Sequence, residues 1–166
     1  MDILLWRHAE AVDADGLLSD LDRPLTKRGR KQAKLVARWL RSRLPPDCRI
    51  LVSPALRTRE TVVPLGLPHE IEPAIAPGAS AEAILAATGW PGKDGAVLLV
   101  GHQPGLGEVA GRLLTGRALG LSVRKGALWW LTARRRGGRA EVTLRAVIDA
   151  ETAWPTPGQG KKSQAD

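Results

Sequence analysis

The sequence predicts an α/β domain of the doubly wound kind, with helices on both faces of a mostly parallel sheet and an antiparallel strand pair late in the chain. Three observations carry this. The apolar runs at residues 3–6 and 95–101 are short and bounded, as buried parallel strands are. Strand-like and helix-like segments alternate along the first two-thirds of the chain. Residues 127–132 and 141–148 flank an arginine- and glycine-rich turn and read as the antiparallel pair.

The elements follow in order. The first strand, residues 3–6, ends at Arg7-His8, and a polar loop covers residues 10–23. Thr26 is a natural N-cap for a helix over residues 28–43. There Ala33, Val36, Ala37 and Leu40 recur at helical spacing, Lys and Arg cover the other face, and Pro45-Pro46 ends the helix. A second strand, residues 49–52, runs into Ser53-Pro54, which reads as a helix start with Ser53 as cap and Pro54 in the first turn. That helix carries Arg57, Glu60 and Thr61. Residues 71–76 read as an edge strand, 81–88 as a short helix capped by Ser80, and 104–114 as the helix after the strand at 95–101. Residues 153–166, rich in Pro, Gly, Lys, Ser and Gln, are expected to form a disordered tail, leaving residues 1–152 as one domain.

Composition narrows the function classes. Of the aromatic residues only Trp occurs, six times, so Leu, Val and Ala must fill most of the core. Cys48 is the only cysteine, which rules out an intramolecular disulfide and any Cys-based zinc spacing. No signal peptide is expected at the N-terminus, and no apolar run approaches membrane-spanning length. A cytoplasmic monomer without a membrane partner is the expectation. The net charge of +8 clusters at residues 27–34 and 134–139. The second cluster reads as a solvated hairpin turn, and no nucleic-acid-binding motif accompanies it, so no nucleic-acid partner is expected.

In a doubly wound sheet the site lies beyond the carboxyl ends of the strands. The first strand delivers Arg7 and His8 there, the second leads to Arg57, and the strand at 95–101 delivers His102 and Gln103. Two arginines suit a dianionic phosphoryl group, because each guanidinium offers a planar fork and stays charged. A neutral imidazole can attack phosphorus, and a second histidine can stabilise charge on a non-bridging oxygen. The loop 101–105 precedes a helix, adding backbone N–H groups for an anion, and Gln103 is counted with Arg7, Arg57 and His102 as phosphate-binding. No carboxylates cluster near these histidines at metal-ligand spacing, so no metal is expected. His69 reads as an exposed loop residue.

Four motifs then resemble the histidine phosphatase superfamily, most closely its small SixA-type phosphohistidine phosphatase branch. They are Leu4-Leu5-Trp6-Arg7-His8-Ala9-Glu10, Arg23-Pro24-Leu25-Thr26 with Gly29 and Gln32-Ala33, Ser53-Pro54-Ala55-Leu56-Arg57 with Thr61, and Gly101-His102-Gln103-Pro104. The resemblance implies a three-layer α/β/α sandwich, His8 as the nucleophile that becomes phosphohistidine, Arg7 and Arg57 as phosphoryl ligands, and His102 as the second histidine of the pocket. It implies no cofactor. Arg23 becomes a pocket neighbour.

Two departures stand out. Ala9 replaces the usual Gly, and Ala74 falls where larger relatives carry a general acid; Glu10 and Glu72 are the candidate substitutes. An alkyl phosphate needs a proton delivered to its leaving group, whereas phosphohistidine can leave as neutral imidazole. The expected activity is therefore dephosphorylation of phosphohistidine on a protein. The alternatives are a phosphomonoesterase for a small metabolite or aryl phosphate, and a non-catalytic pseudophosphatase that binds phosphorylated ligands.

Overall fold

The computed structural model describes residues 1–153 except 15, 17, 91, 93, 94, 137 and 138. Among them the strands are β1 (Asp2–Arg7), β2 (Arg49–Val52), β3 (Glu70–Ile71), β4 (Ala96–Gly101), β5 (Leu128–Arg136) and β6 (Arg139–Ile148). The α-helices are α1 (Lys27–Arg41), α2 (Leu56–Val62), α3 (Ala81–Thr88) and α4 (Gly105–Thr115). The strands form one sheet in the order β3-β2-β4-β1-β5-β6. β1, β2, β3 and β4 pair in parallel, and β5 and β6 join antiparallel.

Strand alternation divides the core into two layers. Leu4, Trp6, Ile50, Val52, Leu98 and Val100 face Val36, Ala37 and Leu40 of α1 and Val62 of α2. Ile3, Leu5, Leu51, Val97 and Leu99 face Ile84 of α3 and Leu106, Val109 and Ala110 of α4. This is the three-layer α/β/α sandwich the sequence implied. The helices after β1 and β4 lie on opposite faces, which opens a crevice at the carboxyl ends of these neighbouring strands.

Local signals explain most boundaries. The Thr26 side chain accepts from the Gly29 N–H and caps α1, and the Ser80 side chain accepts from the Ala83 N–H and caps α3. Two expectations need correction. Ser53 does not cap the second helix: α2 begins at Leu56 behind Ala55, without a side-chain cap. The edge strand at 71–76 shrinks to the two residues of β3, because Pro73 cannot donate to a ladder and opens a 3-10 turn, Pro73–Ile75. The tail from 154 onward and the tip of the arginine hairpin lie outside the described residues. Ala153 is described, and its N–H donates to the Asp149 carbonyl. Among the described residues no helix is long and apolar enough to cross a membrane.

One contact joins α1 to the chain after β1. Gly29 lies against the backbone of Glu10, where an added Cβ would stand 1.9 Å from the carbonyl oxygen. In a free helix Gly→Ala gains about 1 kcal/mol. Here Gly29→Ala should instead destabilise the protein by about 1–3 kcal/mol, as overpacking does, measured by urea unfolding. An unchanged or raised midpoint would contradict the close approach.

Candidate active site

The two histidines meet because β1 and β4 pair in register, with Arg7 opposite Gly101. The His8 N–H donates to the Gly101 carbonyl at 3.0 Å, extending the ladder by one bond. His8 and His102 each retain 7% exposure, and their ring centroids stand 5.3 Å apart. They line a cleft of about 290 Å³ with Arg7, Arg57, Asp20, Arg23, Gln103 and Lys125 among its walls.

His8 Nδ1 lies 2.7 Å from the Ala9 carbonyl oxygen. A carbonyl only accepts, so Nδ1 carries the hydrogen and the lone pair belongs to Nε2. Burial pushes the His8 pKa down to about 4, and the cations Arg57, Arg7 and Lys125 outweigh with it the opposing bond to Ala9. The imidazole is thus neutral at neutral pH. Its tether is itself held: the Ala9 N–H donates to Thr61 Oγ1 at 3.0 Å, and Thr61 Oγ1 donates to the Arg57 carbonyl at 2.6 Å. The Ala9 methyl, in place of the usual Gly, packs in a small buried cluster with Ala11, Leu25 and Ala33.

His102 Nε2 sits 2.7 Å from Ser53 Oγ, and its Nδ1 is buried without a partner. The Ala55 N–H reaches Ser53 Oγ at 3.5 Å, and among the described residues His102 Nε2 is the one acceptor within reach of the serine hydrogen, so the hydroxyl accepts from Ala55 and donates to Nε2. That places the hydrogen on His102 Nδ1, as a donor. Burial, then Arg57 and His8, push the His102 pKa down to about 3.

The two arginines are anchored differently. Arg7 Nη1 donates to the Val123 carbonyl at 2.7 Å. The loop bearing that carbonyl closes over the end of β1, with the Gly126 N–H donating to the His8 carbonyl at 2.9 Å. Gly126 has φ +77°, a conformation that suits glycine. Arg57 is only 3% exposed and is gripped by Asp20: Nη2 meets Asp20 Oδ2 at 2.9 Å and Nη1 meets the Asp20 carbonyl. Arg23 holds the other oxygen, Asp20 Oδ1, at 2.9–3.0 Å. Nε of Arg7 and Nε of Arg57 are buried without partners.

The structure thus brings Arg7, His8, Arg23, Arg57 and His102 to one cleft. Gln103 also lines the cleft, and one hydrogen of its side-chain amide donates to the Leu121 carbonyl at 2.7 Å. Two other expectations need correction. Glu10 accepts from Thr26 Oγ1 at 2.7 Å and faces Arg28 at the start of α1, outside the cleft lining. Glu72 accepts from the Ala74 N–H at 2.8 Å and caps its own 3-10 turn. His69 is exposed, as expected. Sequence reading missed Asp20, Ser53, Thr61 and Lys125. Ser53 and Thr61 had a signal, since both stand in the motif around Arg57, Thr61 one helical turn after it; Asp20 and Lys125 had none. Among the described residues no group of three or more His, Cys, Asp or Glu side chains is set to hold a metal ion.

The depressed histidine pKa values have a consequence for stability. In the unfolded chain each imidazole takes a proton below about pH 6.5, while the folded His8 resists until about 4. The stabilisation is full above 6.5 and is lost as pH falls towards 4, amounting to about 3 kcal/mol for His8. Urea unfolding between pH 7 and 4.5 should show this loss, and His8→Asn should show a smaller one. Equal pH dependence would mean that His8 is not held neutral.

A profile for the histidine phosphatase superfamily (branch 1) matches residues 3–80. The phosphohistidine phosphatase SixA of Escherichia coli K12 is 32% identical over 125 residues, covering 70% of this chain and 76% of SixA. A protein of Picosynechococcus is 38% identical over 124 residues, covering 70% and 75% of the two chains. The solved structure of the protein histidine phosphatase SixA complexed with tungstate superposes with a TM-score of 0.71 at 27% identity, over 90% of this chain and 97% of that one. The chain belongs to the histidine phosphatase superfamily.

Proposed function

We propose that this chain is a phosphatase that carries the phosphoryl group on Nε2 of His8 and then hydrolyses it, with phosphohistidine on a protein as its substrate. One observation supports this most: the Ala9 carbonyl holds the proton on His8 Nδ1, leaving the Nε2 lone pair of a neutral ring facing the cleft chemistry. Around it stand donors that want an anion. Nε of Arg7, Nε of Arg57 and Nδ1 of His102 are all buried and unpartnered. An unmet buried donor costs about 1–3 kcal/mol, and a phosphoryl group supplies the missing acceptors.

The reaction follows from these atoms. His8 Nε2 attacks phosphorus in line while the two guanidiniums neutralise the equatorial oxygens. His102 Nδ1 donates to an oxygen whose charge grows. In the second step water attacks, and His8 departs as neutral imidazole because its proton already sits on Nδ1. The same Ala9 contact therefore serves both steps.

The leaving group decides the substrate. Glu10 and Glu72 are bound at caps, and Ala74 lies in an exposed turn, so the segment that could have carried a general acid brings none to the cleft. A phosphohistidine protonated on its second nitrogen leaves without help; an alkoxide does not. The relative SixA bears the name phosphohistidine phosphatase, in agreement with this choice.

His8→Asn should lower turnover by at least about a thousandfold while leaving the circular dichroism spectrum unchanged. In a panel of phosphoramidate, p-nitrophenyl phosphate and glycerol phosphate with chelator present, kcat/KM should fall in that order, by about a hundredfold or more from first to last. Glycerol phosphate turned over as fast as phosphoramidate would sink the substrate assignment. A chelator that stopped the reaction would overturn the metal-free mechanism.

A further inference from the structure

The two-step reading leaves one role unfilled. Water must lose a proton when it attacks phosphohistidine, and His8, as the leaving group, cannot take it. His102 is no better placed, since its Nε2 lone pair accepts from Ser53. Among the described residues lining the cleft, Asp20 is the single carboxylate.

Its position is telling. Asp20 takes one hydrogen on each terminal nitrogen of Arg57, the guanidinium that a phosphoryl group would bind: its backbone carbonyl accepts from Nη1 and its carboxylate accepts from Nη2, while the buried Nε has no partner. A phosphoryl group that takes Arg57 must share with that carboxylate or push it aside. Asp20 cannot go far, because Arg23 holds its other oxygen and grips the Val12 carbonyl at 2.9 Å. Displacement therefore leaves the carboxylate at the edge of the phosphoryl seat, on a side chain about half exposed to water.

From this geometry we infer that Asp20 is the general base of the second half-reaction, moved off Arg57 by the incoming phosphoryl group. The proposal rests on the two-step reading through His8. In the first step the His8 Nε2 lone pair forms the N–P bond, the substrate's P–N bond breaks, and its pair stays on the departing imidazole. In the second step a water oxygen forms the new P–O bond and its proton passes to Asp20. The His8 N–P bond breaks and its electron pair returns to Nε2. Phosphate leaves, Asp20 releases its proton to solvent, and the carboxylate returns to Arg57.

Electrostatics agree with a base and not with an acid. Burial pushes the Asp20 pKa up, but hydrogen bonds and charge from Arg57 and Arg23 outweigh it and hold the group ionised at rest. Once a dianion neutralises Arg57, that restraint weakens and the carboxylate becomes more basic as the water reaction needs it.

The test is rapid quench with p-nitrophenyl phosphate, whose leaving group departs without a proton. Asp20→Asn should keep a nitrophenolate burst of about one equivalent, at a rate within about threefold of wild type. Its steady-state turnover should fall by about a hundredfold or more, with acid-labile phosphohistidine accumulating on the enzyme. Asp20→Glu should recover part of the turnover and lower the accumulation. Burst and turnover falling in parallel in both variants would make Asp20 a mere support for Arg57 and overturn the proposal. So would faster turnover of Asp20→Asn with tighter inhibition by inorganic phosphate, the behaviour of a simple occupant of the seat. Turnover by wild type without any phosphohistidine in the quench would remove the two-step reading itself, and Asp20 with it.

Discussion

The in-register parallel pairing of β1 with β4 ends at Arg7 opposite Gly101, and the site is assembled around that end. One further ladder bond, from His8 to Gly101, sets His8 and His102 at the same height on neighbouring strands. A slip of one residue would turn either histidine into the opposite core layer. Register is in turn enforced by burial on both faces, since Leu4 and Trp6 serve one layer and Ile3 and Leu5 the other. The packing that stabilises the sheet therefore also fixes the chemistry.

A second layer of control lies in backbone carbonyls and hydroxyls. The Ala9 carbonyl fixes the His8 tautomer, Ser53 fixes that of His102, and Thr61 ties the Ala9 segment to Arg57. Each bond is buried, where losing a partner costs more than the bond itself contributes. The arginines are left with unpartnered Nε atoms, so the folded protein holds unmet donors at the place where an anion is to bind. Asp20 satisfies part of that need at rest.

The fold was legible because its signals are local. Apolar runs marked β1 and β4, and Thr26 and Ser80 marked their helices. The convergence of Arg7, His8, Arg57 and His102 followed from strand–helix alternation, which puts the site beyond the carboxyl ends of the parallel strands. What was hidden depends on partners distant in sequence. Ser53-Pro54 has the local form of a helix start, but the hydroxyl is claimed by His102, which lies 49 residues on. Asp20 sits in a polar loop without periodicity, and nothing near it announces Arg57. Glu10 and Glu72 misled for the opposite reason: both satisfy the nearest available donors, at Thr26 and Ala74, so proximity to the motif did not bring them to the cleft. Pro73 was the overlooked local signal that cut the strand at 71–76 down to β3.

The account stands on which nitrogen of which histidine takes the phosphoryl group. That is read most directly by phosphorus–nitrogen coupling in the NMR spectrum of the phosphorylated, 15N-histidine-labelled full chain. The tautomer held by Ala9 predicts phosphorus coupled to His8 Nε2, with a hydrogen retained on Nδ1. Phosphorus on Nδ1 of His8, or on His102, would contradict it.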